Sequence, residues 1–300
     1  MGNLEEHTET ITLFAADEPG PTAGIVGGVH GNELAGIEAV LTLRTMLKKG
    51  DLTVQKGRLF LALGNPRAIA AGTRYSETDL NRCFTSAALS STGGSYEHGR
   101  ARELAHALED VTLGIDIHGT NTPTEPFLVI QRAKRSDNDA TTQFLSPEII
   151  LRDPYMIFAG EPATLDEYFA RNGGFGICYE TGAAGDRAVV NRVVAELVDV
   201  LTAGGWFRGT ARPPSSLPKK EYLLRESIVL GKDGFRFTPG VGEKNFQVLR
   251  AGDLIGHHGT TPLHATADSV LLFPKSKNLQ MPGHPVGYLA ESTGVTHWER

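Results

Sequence analysis

Gly27-Gly28-Val29-His30-Gly31-Asn32-Glu33-Leu34 is the stretch from which the fold of this chain can be predicted. An apolar run at 24–26 precedes it, and apolar residues at helical spacing follow it over 34–49. Its glycines are typical of a tight turn from a strand into a helix, where the backbone passes close to a neighbouring group. The spacing of His30 and Glu33 places two side chains on one face of a first helical turn. An imidazole and a carboxylate that converge at a strand end supply two of the three protein ligands of a catalytic zinc site.

Composition and charge argue against several classes of function. Of the 300 residues, 40% are hydrophobic and 21% are charged, which favours a globular protein with one large domain or two unequal ones. The net charge of −6 argues against nucleic-acid binding, which normally shows a basic patch. Cys83 and Cys178 are too few for a disulfide framework, so we expect two reduced thiols. The polar, acidic residues 1–9 do not resemble a signal peptide, and no apolar run approaches the ~18–20 residues of a membrane span. We therefore expect a cytoplasmic protein with neither a nucleic-acid nor a membrane partner.

The hydrophobic pattern of the first two thirds of the chain predicts alternating strands and helices, which favours an α/β sheet flanked by helices. In such a sheet the site lies beyond the carboxyl ends of the strands. His30, His118 and Glu180 each fall at the end of a predicted strand. The predicted strands are 22–29, 58–63, 113–118 and 175–180, and the predicted helices are 34–49, 97–108 and 189–201.

The last third of the chain has a different pattern. Residues 212–216 are rich in proline and serine, and we interpret them as a linker. Short alternating stretches separated by turns follow it, which predicts β structure. The predicted domains are therefore an α/β domain at 1–210 and a smaller β-rich domain at 211–300. Within the first domain, the charged residues 132–139 are predicted to form a surface loop.

His118 completes the set of candidate metal ligands begun by His30 and Glu33. Two nitrogen donors and one oxygen donor suit one zinc ion per chain, at ~2.0–2.1 Å per bond with a water in the fourth position. Asp116 alternates onto the same strand face as His118, where it can orient the imidazole. The His-Glu-x-x-His motif of other zinc hydrolases is absent from the sequence.

Several short motifs together resemble one known family, the succinylglutamate desuccinylase/aspartoacylase family of the zinc-carboxypeptidase-like superfamily. The resemblance covers nearly the whole chain, and the motifs occur in the family's order. The matching residues are Gly28-Val29-His30-Gly31-Asn32-Glu33, Gly64-Asn65-Pro66-Arg67-Ala68, Arg74-Tyr75, Asp79-Leu80-Asn81-Arg82, Asp116-Ile117-His118 and Glu180.

This resemblance implies a mixed central sheet flanked by helices, with the smaller C-terminal β domain shaping or covering the site entrance. It implies a zinc-dependent amidohydrolase that removes the acyl group from an N-acyl amino acid, with N-acetyl-aspartate as the first substrate to test. N-succinyl-glutamate and other N-acetyl amino acids are the alternatives within the class. The superfamily also includes carboxypeptidases, but a narrowed entrance would exclude peptides.

The resemblance also implies roles for individual residues. Zinc would bind His30, Glu33 and His118. Glu180 would act as general base towards the attacking water and then as general acid, and Arg74 would polarise the amide carbonyl.

The implied substrate contacts lie on the arginine-bearing segment and beyond it. Asn81 and Arg82 would bind the substrate's α-carboxylate, for which the planar fork of an arginine is well suited. Asp79 is predicted to hold one of the arginines in place. Arg171 is the nearest candidate for a second carboxylate-binding arginine, and Tyr288 is the candidate for a C-terminal substrate-binding tyrosine.

A protein of another class, which binds zinc without hydrolysing anything, is the main alternative to an enzyme. Glu180 discriminates between the two, because a pure metal binder needs no carboxylate at that strand end. The sequence predicts a small anionic substrate as the partner and leaves a homo-oligomer open.

Overall fold

The computed structural model describes residues 3–8, 10–131 and 140–293, so the predicted loop at 132–139 lies outside the described residues. The strands are β1 (Asn3–Thr8), β2 (Ile11–Ala15), β3 (Thr22–Gly27), β4 (Arg58–Leu63), β5 (Leu113–Thr120), β6 (Phe127–Val129), β7 (Ile149–Arg152), β8 (Phe175–Ala183), β9 (Lys220–Val229), β10 (Phe235–Phe237), β11 (Gln247–Leu249), β12 (Leu254–His258), β13 (Thr261–His264), β14 (Ser269–Leu272) and β15 (Pro285–Ser292). The helices are α1 (Leu34–Lys49), α2 (Pro66–Ala71), α3 (Ser86–Ser90), α4 (Tyr96–Ala107), α5 (Leu165–Arg171) and α6 (Val190–Ala203), with 3-10 turns at Leu80–Arg82 and Lys277–Leu279.

Among the described residues, twelve strands form one mixed sheet in the order β1-β2-β4-β3-β5-β8-β6-β7-β9-β15-β14-β11. Strands β4, β3, β5 and β8 run parallel to one another. Strand β6 lies between β8 and β7 in the sheet. It pairs antiparallel with β8 and parallel with β7. A separate antiparallel sheet has the order β10-β12-β13. The predicted fold class, a mixed α/β sheet with a smaller β part, is confirmed.

The central strands are apolar on both faces because helices cover both faces of the sheet. Helices α1 and α6 pack on the face that includes Ile25, Ile115 and Ile177. Helices α4 and α5 pack on the opposite face, where Leu104 and Phe169 are fully or almost fully buried. Gly114 lies under Phe169, and a Cβ at this glycine would come within 2.0 Å of the aromatic ring. This close packing holds α5 against β5, the strand that carries His118.

The C-terminal strands continue the main sheet across the predicted domain boundary at residue 211. Strand β9 pairs in parallel with β7 and antiparallel with β15. The division into 1–210 and 211–300 stays a prediction, but its two parts share one sheet. The described part of the chain contains no helix that is long and apolar enough to cross a membrane.

Candidate metal centre and active site

The three predicted ligands meet at one edge of the sheet. His30 lies in the turn after β3, Glu33 directly precedes α1, and His118 lies in β5. Strands β3 and β5 are parallel neighbours, so their carboxyl ends reach the same edge. All three side chains are buried, and their ligand atoms lie within 4.8 Å of one another. We call these three residues the ligand group.

The glycines of the opening motif are needed for close backbone packing around His30. A Cβ at Gly31 would lie 2.1 Å from the carbonyl carbon of Ala68, and a Cβ at Gly27 would lie 2.1 Å from the carbonyl oxygen of Gly36. Neither backbone neighbour can move without displacing its helix. The turn that carries His30 is therefore clamped between α2 and α1.

The distances within the ligand group fit a metal ion. Glu33 Oε1 lies 2.8 Å from His30 Nδ1, and Glu33 Oε2 lies 2.9 Å from His118 Nδ1. The two Nδ1 atoms are 3.2 Å apart. Two imidazole nitrogens and a carboxylate that converge in a buried position form a donor set that zinc prefers.

Two further carboxylates contact the outer ring nitrogens of the ligand group. Asp116 Oδ2 lies 2.6 Å from His118 Nε2, and Asp79 Oδ1 lies 3.0 Å from His30 Nε2. Each Nε2–H can donate to its carboxylate, which fixes the tautomer and leaves the Nδ1 lone pairs facing each other. Asp79 also accepts hydrogen bonds from Arg74, at 3.1 Å from Nη2 and 3.3 Å from Nε. Asp79 therefore contacts both an arginine and a histidine of the candidate site.

The electrostatics of the ligand group favour a bound cation. Burial by itself would raise the pKa of Glu33, but His30 and His118 together lower it below its usual range. Burial would lower the pKa of His118, but Asp116 and Glu33 raise it well above its usual value. In both cases buried negative charge attracts positive charge, whether a proton or a metal ion.

Glu180 lies beside the ligand group on the neighbouring strand, because β8 pairs with β5 in a register that sets Glu180 opposite His118. Its side chain is 9% exposed, and its Oε2 has no hydrogen-bond partner among the described residues. Burial raises the pKa of Glu180 to about 7, with His118 opposing the rise and Glu33 adding to it. A carboxylate of this kind can exchange a proton near neutral pH.

Arg74 lies at the open edge of the ligand group. Its Nη1 is 3.5 Å from Glu33 Oε1, and its side chain is 38% exposed. The two hydrogen bonds that Arg74 donates to Asp79 fix the orientation of the guanidinium. Part of the guanidinium is thus held by the protein, and part faces the solvent.

The predicted substrate contacts Asn81 and Arg82 lie on the 3-10 turn after Asp79. Asn81 Oδ1 accepts a hydrogen bond from the backbone N–H of Leu165 at 3.0 Å, at the start of α5. Arg82 is exposed, and its Nη1 donates to the backbone oxygen of Asn81 at 2.8 Å. Burial raises the pKa of Tyr288 while the charge of Arg82 lowers it, so the tyrosine lies within electrostatic range of the arginine.

Arg171 lies among backbone carbonyls at the end of α5. Its Nη2 donates to the oxygen of Phe84 at 2.7 Å, and its Nη1 lies 3.4 Å from the oxygen of Pro162. Its guanidinium also lies over the ring of Tyr168. No hydrogen bond or ion pair in the described part of the chain joins Arg171 to the ligand group, and its contact with substrate stays a prediction.

Lys275 is a candidate site residue that sequence reasoning missed. It follows β14, where Thr122 Oγ1 donates to the oxygen of Pro274 at 3.0 Å and so fixes this segment to the connection after β5. Burial lowers the pKa of Lys275, and the charges of Arg74 and Arg82 lower it further. Lys275 therefore interacts electrostatically with both arginines, and we call these three residues the cationic side of the site. A lysine at the end of a predicted strand was the only signal in the sequence.

Aromatic side chains lie next to Glu180 on the same face of the sheet. Phe127 of β6 is paired with Glu180 in the antiparallel register. Its ring lies 5.0 Å from that of Phe246 and 5.7 Å from that of Phe273, between centroids. Phe246 and Phe273 have φ values of 57° and 47°, an unfavourable conformation for a large side chain. No pattern in the sequence indicated that these residues, distant along the chain, would meet.

A protein-family model matches more than half of the chain. The model described as the succinylglutamate desuccinylase/aspartoacylase catalytic domain matches residues 19–196.

Curated relatives match over shorter regions. A probable aspartoacylase from Nostoc sp. is 40% identical over 104 residues, which are 32% of this chain and 34% of the relative. An N-acyl-aromatic-L-amino acid amidohydrolase (carboxylate-forming) from Mus musculus is 31% identical over 187 residues, which are 57% of this chain and 56% of the relative. The chain thus spans between a third and just over half of the length of these two relatives.

Solved structures match over nearly the whole chain. Succinylglutamate desuccinylase from Vibrio cholerae has a TM-score of 0.79 at 20% identity, covering 96% of this chain and 87% of that chain. Murine aminoacylase 3 has a TM-score of 0.70 at 23% identity, covering 92% and 97%. At these identities the similarity shows a shared fold.

Proposed function

The chain belongs to the succinylglutamate desuccinylase/aspartoacylase family, and we propose that it is a zinc-dependent amidohydrolase that removes the acyl group from an N-acyl amino acid. One observation carries the proposal: Glu180 is buried beside the ligand group, and one of its carboxylate oxygens has no partner among the described residues. A protein that only stores zinc has no use for such a group, whereas a hydrolase needs a base there.

His30, Glu33 and His118 would hold the zinc ion. When bound, zinc supplies a Lewis acid that polarises an oxygen and lowers the pKa of a coordinated water towards ~7. The protein contributes the orientation of the ligands. Asp79 and Asp116 fix the two imidazoles through Nε2, which keeps each Nδ1 available as a donor.

Glu180 is the proposed general base. Its ionised carboxylate accepts a proton from the attacking water, and the resulting carboxylic acid donates this proton to the leaving amine nitrogen as the C–N bond breaks. A pKa of about 7 suits both steps, because neither the protonated nor the ionised form is strongly disfavoured near neutral pH.

Arg74 is the proposed partner of the carbonyl oxygen, which becomes anionic as water adds to the amide carbon. Asp79 holds the guanidinium in place beforehand, so little reorganisation is needed during the reaction. The loss of one such preorganised donor typically costs about 10²–10³ in kcat.

Arg82 and Lys275, on the cationic side of the site, are the proposed partners of the carboxylates of the substrate. Arg82 and Asn81 would bind the α-carboxylate, with Tyr288 near Arg82. Lys275 adds a third cation to Arg74 and Arg82, which favours a substrate with a second carboxylate. N-acetyl-aspartate is therefore the first choice, and N-succinyl-glutamate is an alternative dianion.

A second candidate is an N-acyl amino acid with an aromatic or aliphatic side chain. The ring of Phe127 is fully buried beside Glu180, and the half-buried rings of Phe246 and Phe273 contact it. A substrate side chain that packs against this surface would be apolar. Lys275 then has no carboxylate to bind, which is why we place this candidate second.

A deacylation screen with the zinc-loaded protein tests both candidates. The panel contains N-acetyl-aspartate, N-succinyl-glutamate and N-acetyl-phenylalanine, and release of the free amino acid is measured. We expect turnover of at least one substrate and its loss in Glu180→Gln, with Glu125→Gln, an exposed carboxylate before β6, as the control. Zinc binding without turnover of any N-acyl amino acid would support the non-catalytic alternative.

A further inference from the structure

Glu97, in the first turn of α4, is a buried carboxylate that the mechanism above does not use. Glu97 is 0% exposed. In the described part of the chain no arginine, lysine or histidine forms an ion pair with it. A buried ionised carboxylate is costly unless hydrogen bonds replace its hydration, so its partners indicate its role.

Those partners are backbone N–H groups of one loop. The N–H groups of Ser76 and Glu77 donate to Glu97 Oε1 at 2.7 and 3.3 Å, and the N–H of Thr78 donates to Glu97 Oε2 at 3.2 Å. Asn65 Nδ2 adds a hydrogen bond to Oε1 at 3.2 Å. A single side chain thus fixes three consecutive residues of a loop that has no regular secondary structure of its own.

The loop held by Glu97 joins two residues of the candidate site. Arg74 lies two positions before Ser76, and Asp79 directly follows Thr78. Asp79 accepts from Arg74 and also contacts His30, so a shift of the loop would disturb both the guanidinium and the imidazole. The backbone oxygen of Arg74 also accepts from the N–H of Gly31, beside His30.

Helix α4 is also fixed to the backbone at the end of β4. Arg100, one turn after Glu97, donates through Nε to the oxygen of Gly64 at 2.8 Å and through Nη2 to that of Leu63 at 2.6 Å. Asn65, which follows Gly64, caps α2 through a bond from the N–H of Ala68. Glu97 and Arg100 together connect α4 to both loops at the edge of the site.

Hydrogen bonding keeps Glu97 ionised. Burial would raise its pKa, but the donors from Ser76, Asn65 and Glu77 lower it overall. The negative charge therefore strengthens these hydrogen bonds at neutral pH, since charge-assisted bonds are stronger than neutral ones.

We propose that Glu97 is a positioning residue, whose carboxylate fixes the 76–78 loop so that Arg74 and Asp79 are held in their places beside the ligand group. It touches neither metal nor substrate and acts through Arg74 and Asp79. The kinetic part of this inference rests on the proposed hydrolase function, whereas the structural part does not.

Hydrogen exchange of the zinc-loaded protein, followed by mass spectrometry, tests the structural part. Glu97→Gln keeps one acceptor oxygen but places an amide NH2 against the N–H of Thr78. We expect exchange of the amides at 76–78 to become roughly tenfold faster, as loss of one hydrogen bond to a charged group predicts. Glu109→Gln is the control, because Glu109 is exposed two residues after the end of α4 and forms no hydrogen bond or ion pair with residues 76–78 in the described part of the chain.

Kinetics test whether Glu97 acts through Arg74. We expect Glu97→Gln to lower kcat about tenfold with little change in KM, because transition-state contacts are lost while ground-state binding persists. In an Arg74→Ala background the same substitution should change kcat less than about twofold, since coupled residues give non-additive effects. Glu97→Asp, which keeps the charge but shortens its reach, should lie between wild type and Glu97→Gln and serves as the second variant if Glu97→Gln fails to fold.

Unchanged exchange at 76–78 in both Glu97 variants would overturn the proposal. A tenfold loss of kcat that persists in the Arg74→Ala background would overturn the claim that Glu97 acts through Arg74. If wild-type protein hydrolyses no N-acyl amino acid, the function proposed above fails, and the exchange experiment still decides whether Glu97 fixes the loop.

Discussion

The ligand group and the cationic side of the site are built in different ways. The ligand group comes from the ends of two central strands and is buried, with each imidazole held between two carboxylates. The cationic side comes from loops and from the segment after β14, and Arg82 within it is exposed. For the proposed hydrolase, this difference assigns the reaction to the buried ligand group and the choice of substrate to the connections around it.

Replacement of a ligand should give the largest effect. We expect His118→Ala to lose zinc and all measurable turnover, because two protein ligands rarely hold a catalytic zinc ion. Metal content by mass spectrometry should fall from one zinc per chain to near zero, while His264→Ala, an exposed histidine on β13, retains it. Full activity in metal-free wild-type protein would refute the zinc mechanism.

The next largest effect should come from Glu180, which lies beside the ligand group without belonging to it. Glu180→Gln should retain zinc and lower kcat by about 10²–10⁴, the usual contribution of a general base. Metal content and kcat are measured on the same preparation. A variant with wild-type kcat would exclude Glu180 as the base.

Substitution of Arg82, on the cationic side, should affect substrate binding more than chemistry. Arg82→Lys should lower kcat/KM by about 10–100-fold on substrates with a free α-carboxylate, because a bidentate charged hydrogen bond is lost. Substrates whose α-carboxylate is amidated should lose little, and zinc content should stay unchanged. An equal loss on both kinds of substrate would contradict the role of Arg82.

The pH dependence should report the ionisation of Glu180. The base acts in its ionised form, so kcat/KM should fall about tenfold per pH unit as the pH drops below the pKa of Glu180. The protein environment raises this pKa to about 7, and a bound cation would lower it, so we expect the acidic limb at or below pH 7. In Glu180→Gln the residual kcat/KM should not show this decrease at low pH.

The smallest effect is expected for Lys275→Met, which should change the rates on the two candidate substrates differently. Lys275→Met removes one partly solvated cation, so kcat/KM on N-acetyl-aspartate should fall only up to about fivefold. The rate on N-acetyl-phenylalanine should not fall. An unchanged rate on N-acetyl-aspartate would contradict the role of Lys275 in binding a second carboxylate.

The sequence indicated the residues of the ligand group more clearly than those of the cationic side of the site. His30 and Glu33 belong to one turn, and His118 and Glu180 end strands of a predicted parallel sheet, so their convergence follows from general rules of α/β folds. Lys275 and Phe273 reach the site only because β15 and β9 join the main sheet. Nothing in the local pattern of residues 269–275 indicates which edge of the structure they will meet.

Local chemistry thus determined the glycine turn, the spacing of His30 and Glu33, and the helix that begins at Leu34, because these depend on residues within a few positions of one another. Tertiary structure decided that Asp79 bridges Arg74 and His30, that Glu97 holds the loop between them, and that Phe127 lies beside Glu180. The physical reason is that burial and strand order are settled by the whole chain at once. A carboxylate finds its partners only after packing has excluded water and brought distant N–H groups and cations within reach.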